Sequence, residues 1–262
     1  MGIIPCYQVD AFTLGPFTGN PAAVCVLADP LPDDLMQKIA AENNLAETAF
    51  IMPEGDDFQI RWFTPLVEVD LCGHATLASA FVVLKHLKPE TQNVTFNSPR
   101  SGKLYVSLKE EKLELDFPTD KLNKCQLPSI IKESLGSEPL ECFTGRSDYL
   151  LLFGSEAEIL AIRPDFRKLA RADGRGIIVT APGSDVDFVS RFFAPQAGID
   201  EDPVTGSAHT TLTPFWSARL GKKSMTARQL SERGGYLECT LNGDRTLIAG
   251  RAVLFLKGEI FV

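Results

Sequence analysis

Apolar residues fall in short β-branched and aromatic runs along most of this chain, interrupted by one longer stretch that is apolar nearly all round and a second that carries several large apolar residues. Residues 5–12 and 22–28 read as strands, joined by the turn-rich GPFTGNP. Leu35 to Asn43 follows Pro32, Asp33 and Asp34, a fair helix start, with Leu35 and Ile39 one turn apart. Ala49–Met52 and Gln59–Phe63 are expected strands. Gly73-His74 then opens a helix, Ala75 to Leu87, in which Leu77, Ala78, Phe81, Val82 and Leu84 leave little polar face. Such a helix must be enclosed by other structure. Strands are expected at 93–97, 103–108 and 112–117, punctuated by Pro99, Gly102 and Pro118.

The second apolar helix is opened by Gly206-Ser207, carries Leu212, Phe215, Trp216 and Leu220, and stops at Gly221. Pro214 is expected to kink it or to lie in its first turn. Its surroundings repeat those of the first. RWFTP at 61–65 meets RFFAP at 191–195, an offset of 130, and LCGHA at 71–75 meets VTGSA at 204–208, an offset of 133. SPRSGKLYVSL at 98–108 and SERGGYLECTL at 231–241 keep that second offset, and TAFIMPEG at 48–55 is echoed weakly by GIIVTAPG at 176–183. Generic strand–turn similarity explains one such pair but not an ordered series. The expected fold is therefore α+β: two similar domains from an internal duplication, each a sheet wrapped around one helix. The boundary is expected at Pro118, giving domains 1–117 and 118–262, with the last strand, 251–257, able to pair in either half.

Composition narrows the function classes. At 262 residues, 44% hydrophobic and 23% charged, the chain has an ordinary globular profile. Lys+Arg of 26 against Asp+Glu of 34 gives a formal charge of -8, which disfavours phosphate backbones and anionic membranes. The amino terminus lacks a basic n-region, and no apolar run is long enough to cross a bilayer. Six scattered cysteines fit reduced thiols in a cytoplasmic protein better than a disulfide framework or a zinc site. With three histidines and no HExxH spacing, no metal is expected.

The two glycine-led helix starts carry the sharpest chemistry. A helix amino terminus offers unpaired N–H groups and partial positive charge to a carboxylate or oxyanion, and glycine at 73 and 206 admits close approach. Ordinary capping in a duplicated fold is the plainer alternative. The expectation is that both starts face one small-molecule site. The dipole at His74 is expected to lower its pKa and keep the ring neutral. Asp202 precedes Pro203, which favours an extended residue able to reach a cleft; a turn aspartate is equally natural. Glu47, flanked by Leu45, Ala46 and Ala49, is a candidate for partial desolvation and a raised pKa, against the alternative of a solvated turn residue. The corresponding RADGRGIIVTA has no glutamate, so Glu47 has a role beyond the shared fold. Cys72 aligns with Thr205, which cannot serve as a second thiolate in a two-base racemase, so Cys72 reads as a small packed residue. GSAH lacks the final glycine of a serine nucleophile elbow.

QVDAF, FTGNPAAV, NLAETAF, RWFTP with EVDLCGHATLAS, and DEDPVTGSAH with the later ERGG together resemble the phenazine-biosynthesis F-type (PhzF-like) family, across essentially the whole chain. The resemblance implies a diaminopimelate-epimerase-like fold, no metal or organic cofactor, a site between two domains, and a homodimer. It implies that Glu47 shuttles a proton, with His74 and Asp202 matching the family's histidine and aspartate. Gly73, Gly206 and Ser207 match its substrate-holding positions, and Asn20 neighbours the pocket. In epimerase relatives, cysteines occupy the positions of Cys72 and Thr205. The function expected is a cofactor-independent isomerase of a small carboxylate-bearing metabolite. The rivals are a non-catalytic metabolite-binding protein on the same fold and a two-base racemase.

Overall fold

The computed structural model describes residues 2–262 and divides the chain into two compact units. The first runs to Phe117 and regains the chain at Ala249–Val262; the second is Pro118–Ile248.

In the first unit β1 (Ile3–Ala11) and β2 (Asn20–Val26) pair antiparallel, α1 (Asp33–Asn43) follows, and β3 (Glu47–Glu54) lies parallel to β2. β4 (Asp57–Phe63) returns antiparallel to β3, and the two-residue β5 (Glu68–Val69) turns back on it. After α2 (Gly73–Val82), β6 (Asn93–Ser98) lies parallel to β4, and β7 (Gly102–Lys109) and β8 (Lys112–Pro118) complete a meander.

Strand parity positions the site. Ala23 and Cys25 of β2 pack with Met36 and Ile39 of α1. Asn20, Ala22 and Val24 therefore turn to the opposite sheet face, where α2 packs. The parallel register sets Ala22 beside Glu47 and Val24 beside Ala49, which puts Glu47 on the α2 face as well. All of α2 except Phe81 is buried, as its all-round apolar sequence demands. Its hydroxyls are satisfied internally: Thr76 Oγ1 donates to the Cys72 carbonyl at 2.6 Å and Ser79 Oγ to that of Ala75 at 2.7 Å. The sequence predicts one helix to Leu87; instead the last turn, Val83–Leu87, widens into a π-helical turn.

The second unit contains β9 (Asn123–Lys124), α3 (Ser129–Leu135), β10 (Glu141–Thr144), β11 (Asp148–Leu152), α4 (Glu156–Ala161) and α5 (Phe166–Leu169). It continues with β12 (Gly176–Pro182), β13 (Phe188–Phe193), α6 (Gly206–Leu220), β14 (Ser224–Gln229), β15 (Gly235–Asn242) and β16 (Arg245–Gly250). Pairings from β10 to β15 run antiparallel, parallel, antiparallel, parallel, antiparallel. The first unit shows the same order from β1 through β4 to β6 and β7. In each unit the apolar helix is the crossover between the second parallel pair. The shared pairing order follows the order of the repeated motifs.

Two expectations change. The last strand, β17 (Ala252–Phe261), pairs antiparallel with β1, so the second domain does not extend to residue 262. β1 is thus flanked by β2 and β17, and its outer edge is covered. Pro214 lies well inside α6, past the first turn, and the helix runs through it. The carbonyl that its missing N–H leaves free, on Thr210, accepts from the Asp120 N–H at 3.2 Å. Among the described residues no helix is long and apolar enough to cross a membrane.

Candidate active site

In the first unit the site is assembled from the starts of β2, β3 and α2. Gly19, at φ +74°, makes the turn into β2, and a Cβ there would lie 2.3 Å from the Ala11 carbonyl oxygen. Asn20 follows, fully buried, with Nδ2 3.1 Å from His74 Nδ1. Glu47 opens β3 and is only 9% exposed, so it is not a solvated turn residue. Its Oε2 stands 3.1 Å from His74 Nε2. The two groups form a buried close ion pair when the ring is protonated. Cys72 is buried beside them, its Sγ 3.5 Å from His74 Nδ1.

The charge state of His74 differs from the expected neutral ring. Burial pushes its pKa down, but the negative charges of Cys72 and Glu47 push harder and hold it well above the ordinary imidazole value. Burial first, and the Glu47 charge second, raise the Cys72 thiol. Of the two neighbours Cys72 gives the larger upward push on the ring and Glu47 the second. A full carboxylate charge at 3.1 Å outweighs the half-charge of a helix start. Asn20 suits both states of the ring: its amide nitrogen donates to a neutral Nδ1, and with the amide turned its oxygen accepts from an imidazolium.

Glu47, Cys72 and His74 each present one donor atom within 4.8 Å of the others, a mixed set of the kind zinc accepts. Ligation there would need a Cys72 thiolate and a neutral His74, so binding would release protons.

In the second unit the loop before α6 is closed by a buried amide. Gln229, 1% exposed at the end of β14, accepts the Thr205 N–H at Oε1 (2.9 Å) and donates from Nε2 to the Asp202 carbonyl (2.7 Å) and Thr205 Oγ1 (3.0 Å). Thr205 Oγ1 in turn donates to Asp202 Oδ2 at 2.5 Å. Asp202 is thereby held at 9% exposure beside the helix start. Ser207 Oγ accepts from Arg175 Nη2 at 3.0 Å, and Arg175 also forms a bidentate pair with Asp148. A guanidinium thus sits at the α6 amino terminus, next to Gly206 and Ser207. His209 Nδ1 donates to the Thr205 carbonyl at 2.8 Å, and burial pushes its pKa down to about 4, so this ring is neutral.

Gln229 and Arg175 escape a reading of the sequence. The partners of Gln229 lie 24 and 27 residues away and those of Arg175 lie 27 and 32 away, separations that carry no periodic signal. A basic residue in the polar turn ahead of β12 is the one hint available for Arg175.

The family model described as phenazine biosynthesis-like protein, PhzC-PhzF, matches residues 9–258. A Pseudomonas aeruginosa protein named an uncharacterized isomerase is 51% identical over 254 residues, covering 97% of each chain. The crystal structure of a phenazine biosynthesis protein of the PhzF family from Enterococcus faecalis matches with a TM-score of 0.96 and 46% identity, covering 100% of both chains. A solved structure described as a probable proline racemase from Agrobacterium radiobacter matches with a TM-score of 0.64 at 12% identity, over 99% of this chain and 93% of that one. That last likeness is one of fold alone. The sheet-rich α/β architecture is that of PhzF and epimerase-like structures, and this chain belongs to the phenazine biosynthesis-like (PhzC-PhzF) protein family.

Proposed function

We propose that this protein is an isomerase that moves a proton between carbon positions of a small carboxylate-bearing molecule, with Glu47 as the acid–base group. One observation carries the reading: a buried carboxylate at the start of a strand lies 3.1 Å from a buried imidazole ring at the start of a helix. A carboxylate and an imidazole paired in this way are the side chains that general acid–base catalysis uses.

In the proposed step Glu47 removes a proton from carbon, and the C–H electron pair moves into the substrate's π system. The developing negative charge is met by the His74 imidazolium and by the first N–H groups of α2 at Gly73 and His74. Glu47, now protonated, returns the proton at a different carbon. One proton changes place and no electrons are gained or lost, so the step balances without an oxidant or reductant.

The proposal gives Asp202, Gly206 and Ser207 a share in the same reaction, on the strength of the repeated glycine-led helix start and the family likeness. Arg175, paired with Asp148, donates to the Ser207 hydroxyl and fixes it at the helix start. It also includes assembly as a homodimer in the cytoplasm, as the family resemblance implies. A two-base racemase is disfavoured because the Thr205 hydroxyl is held between Asp202 and Gln229 and offers no second base. The relatives named as isomerases favour catalysis over mere binding.

Incubating the protein with a panel of small carboxylates in D2O tests the reading. The expected result is deuterium incorporation at carbon for at least one compound. Tight binding of a carboxylate with no exchange at any carbon would favour the non-catalytic alternative instead.

A further inference from the structure

A pair of cysteines that the proposed reaction does not use lies in the second unit. Cys125 follows β9 and faces Cys142 of β10. The antiparallel register that pairs Lys124 with Phe143 continues one step to them, and the Cys125 N–H donates to the Cys142 carbonyl at 3.0 Å. Their sulfurs are 3.3 Å apart. Directly opposed antiparallel residues have Cα separations of about 4.5–5.5 Å, inside the range a disulfide spans. Cys142 is buried and Cys125 is half-buried. The first unit holds a comparable couple, Cys6 opposite Cys25 with sulfurs 3.9 Å apart, but both members are buried between β1 and β2. All six cysteines are free thiols.

We propose that Cys125 and Cys142 form an oxidisable dithiol that closes to a disulfide under peroxide, while Cys6 and Cys25 stay reduced in the folded protein. The two couples share antiparallel register. Contact with Cys25 lowers the Cys6 thiol, but both of those sulfurs are buried and 3.9 Å apart. The second couple is closer and half-exposed at Cys125, so access and distance decide which reacts. Burial, and contact with Cys125, push the Cys142 thiol up to about 12, which leaves the half-exposed Cys125 as the first nucleophile. Its thiolate attacks one oxygen of hydrogen peroxide, the O–O bond breaks, and the departing hydroxide takes up a proton to leave as water. Cys125 is then a sulfenic acid. Cys142 Sγ gives up its proton and attacks the Cys125 sulfur, and the hydroxyl leaves as a second water. Two thiols are oxidised by two electrons in all, and one peroxide is reduced to two waters.

The bond would close a loop from Cys125 to Cys142 that contains α3. Ile131 and Leu135 of α3 share one core cluster with Cys142, and Cys125 packs against it. Oxidation would tie this helix to β10 by a covalent strap that a dithiol reductant removes.

The test treats the native full-length protein with hydrogen peroxide, quenches free thiols, and maps peptides without reduction. The expected result is a linked Cys125–Cys142 peptide, a fall in titratable thiols from six to four, and recovery of all six with dithiothreitol. In Cys142→Ser the reaction should stop at a Cys125 sulfenic acid that dimedone traps. A Cys6–Cys25 link in its place, loss of Cys125 with Cys142 still a thiol, or survival of all six thiols under peroxide that oxidises the urea-unfolded chain would each overturn the proposal.

Discussion

Replacing Gln229 by leucine removes the amide that closes the loop before α6 while nearly preserving side-chain volume. Gln229 is 1% exposed, accepts the Thr205 N–H at 2.9 Å and donates to the Asp202 carbonyl at 2.7 Å. In Gln229→Leu both main-chain groups stay buried and lose these partners. A buried polar group stripped of its partner costs about 1–3 kcal/mol. Two such groups give about 2–6 kcal/mol. Thr205 Oγ1 also loses a donor but keeps its bond to Asp202, which adds little. Urea unfolding followed by fluorescence, with the slope unchanged between variants, reads this loss directly. Gln92→Leu, at an exposed position, is the control and should change stability by less than about 0.5 kcal/mol. A Gln229→Leu protein within about 1 kcal/mol of the parent would show that the amide does not hold Asp202 and Thr205 in place.

The two buried histidines should titrate on opposite sides of the ordinary value in an NMR pH series, His74 above 6.5 and His209 near 4. The stabilisation His74 contributes is then complete below about pH 6.5 and is lost as pH rises through its folded value. His209 has the opposite sign: its contribution, about 3 kcal/mol, is present above pH 6.5 and lost as pH falls through about 4, so His209→Gln should flatten that acid limb. Cys72→Ala should keep turnover within a few-fold of the parent, because Thr205, at the matching position, cannot complete a thiol pair; loss by a factor of about a hundred or more would point to thiol chemistry. Exhaustive dialysis against a chelator should leave activity unchanged, and a loss restored by zinc would make the Glu47, Cys72 and His74 set a metal site.

The two helix starts were legible in the sequence because each glycine opens a run of helix-spaced apolar residues within a repeated motif, and α2 and α6 begin there. That Asn20 and Glu47 share the α2 face follows from strand parity, but only once the parallel register of β2 and β3 is known. Pairing between strands was not legible, so the charge on His74 was misjudged: the local dipole was visible and the carboxylate 27 residues upstream was not. The last strand was left open for the same reason, since alternation shows that 252–261 is a strand without showing that it lies along β1. How the helix accommodates Pro214 was not legible, because the group that meets the freed carbonyl, the Asp120 N–H, comes from a distant loop.

The central claim is that the Glu47 carboxylate carries the migrating proton, and Glu47→Gln tests it most directly. The amide keeps the side chain's size and its place beside His74 but cannot exchange a proton with carbon. With a substrate from the D2O screen, the variant should bind with affinity close to the parent. It should lose isomerisation and solvent-deuterium incorporation together, by about 10²–10⁴-fold. Deuterium entering carbon at the parental rate in Glu47→Gln would contradict the account.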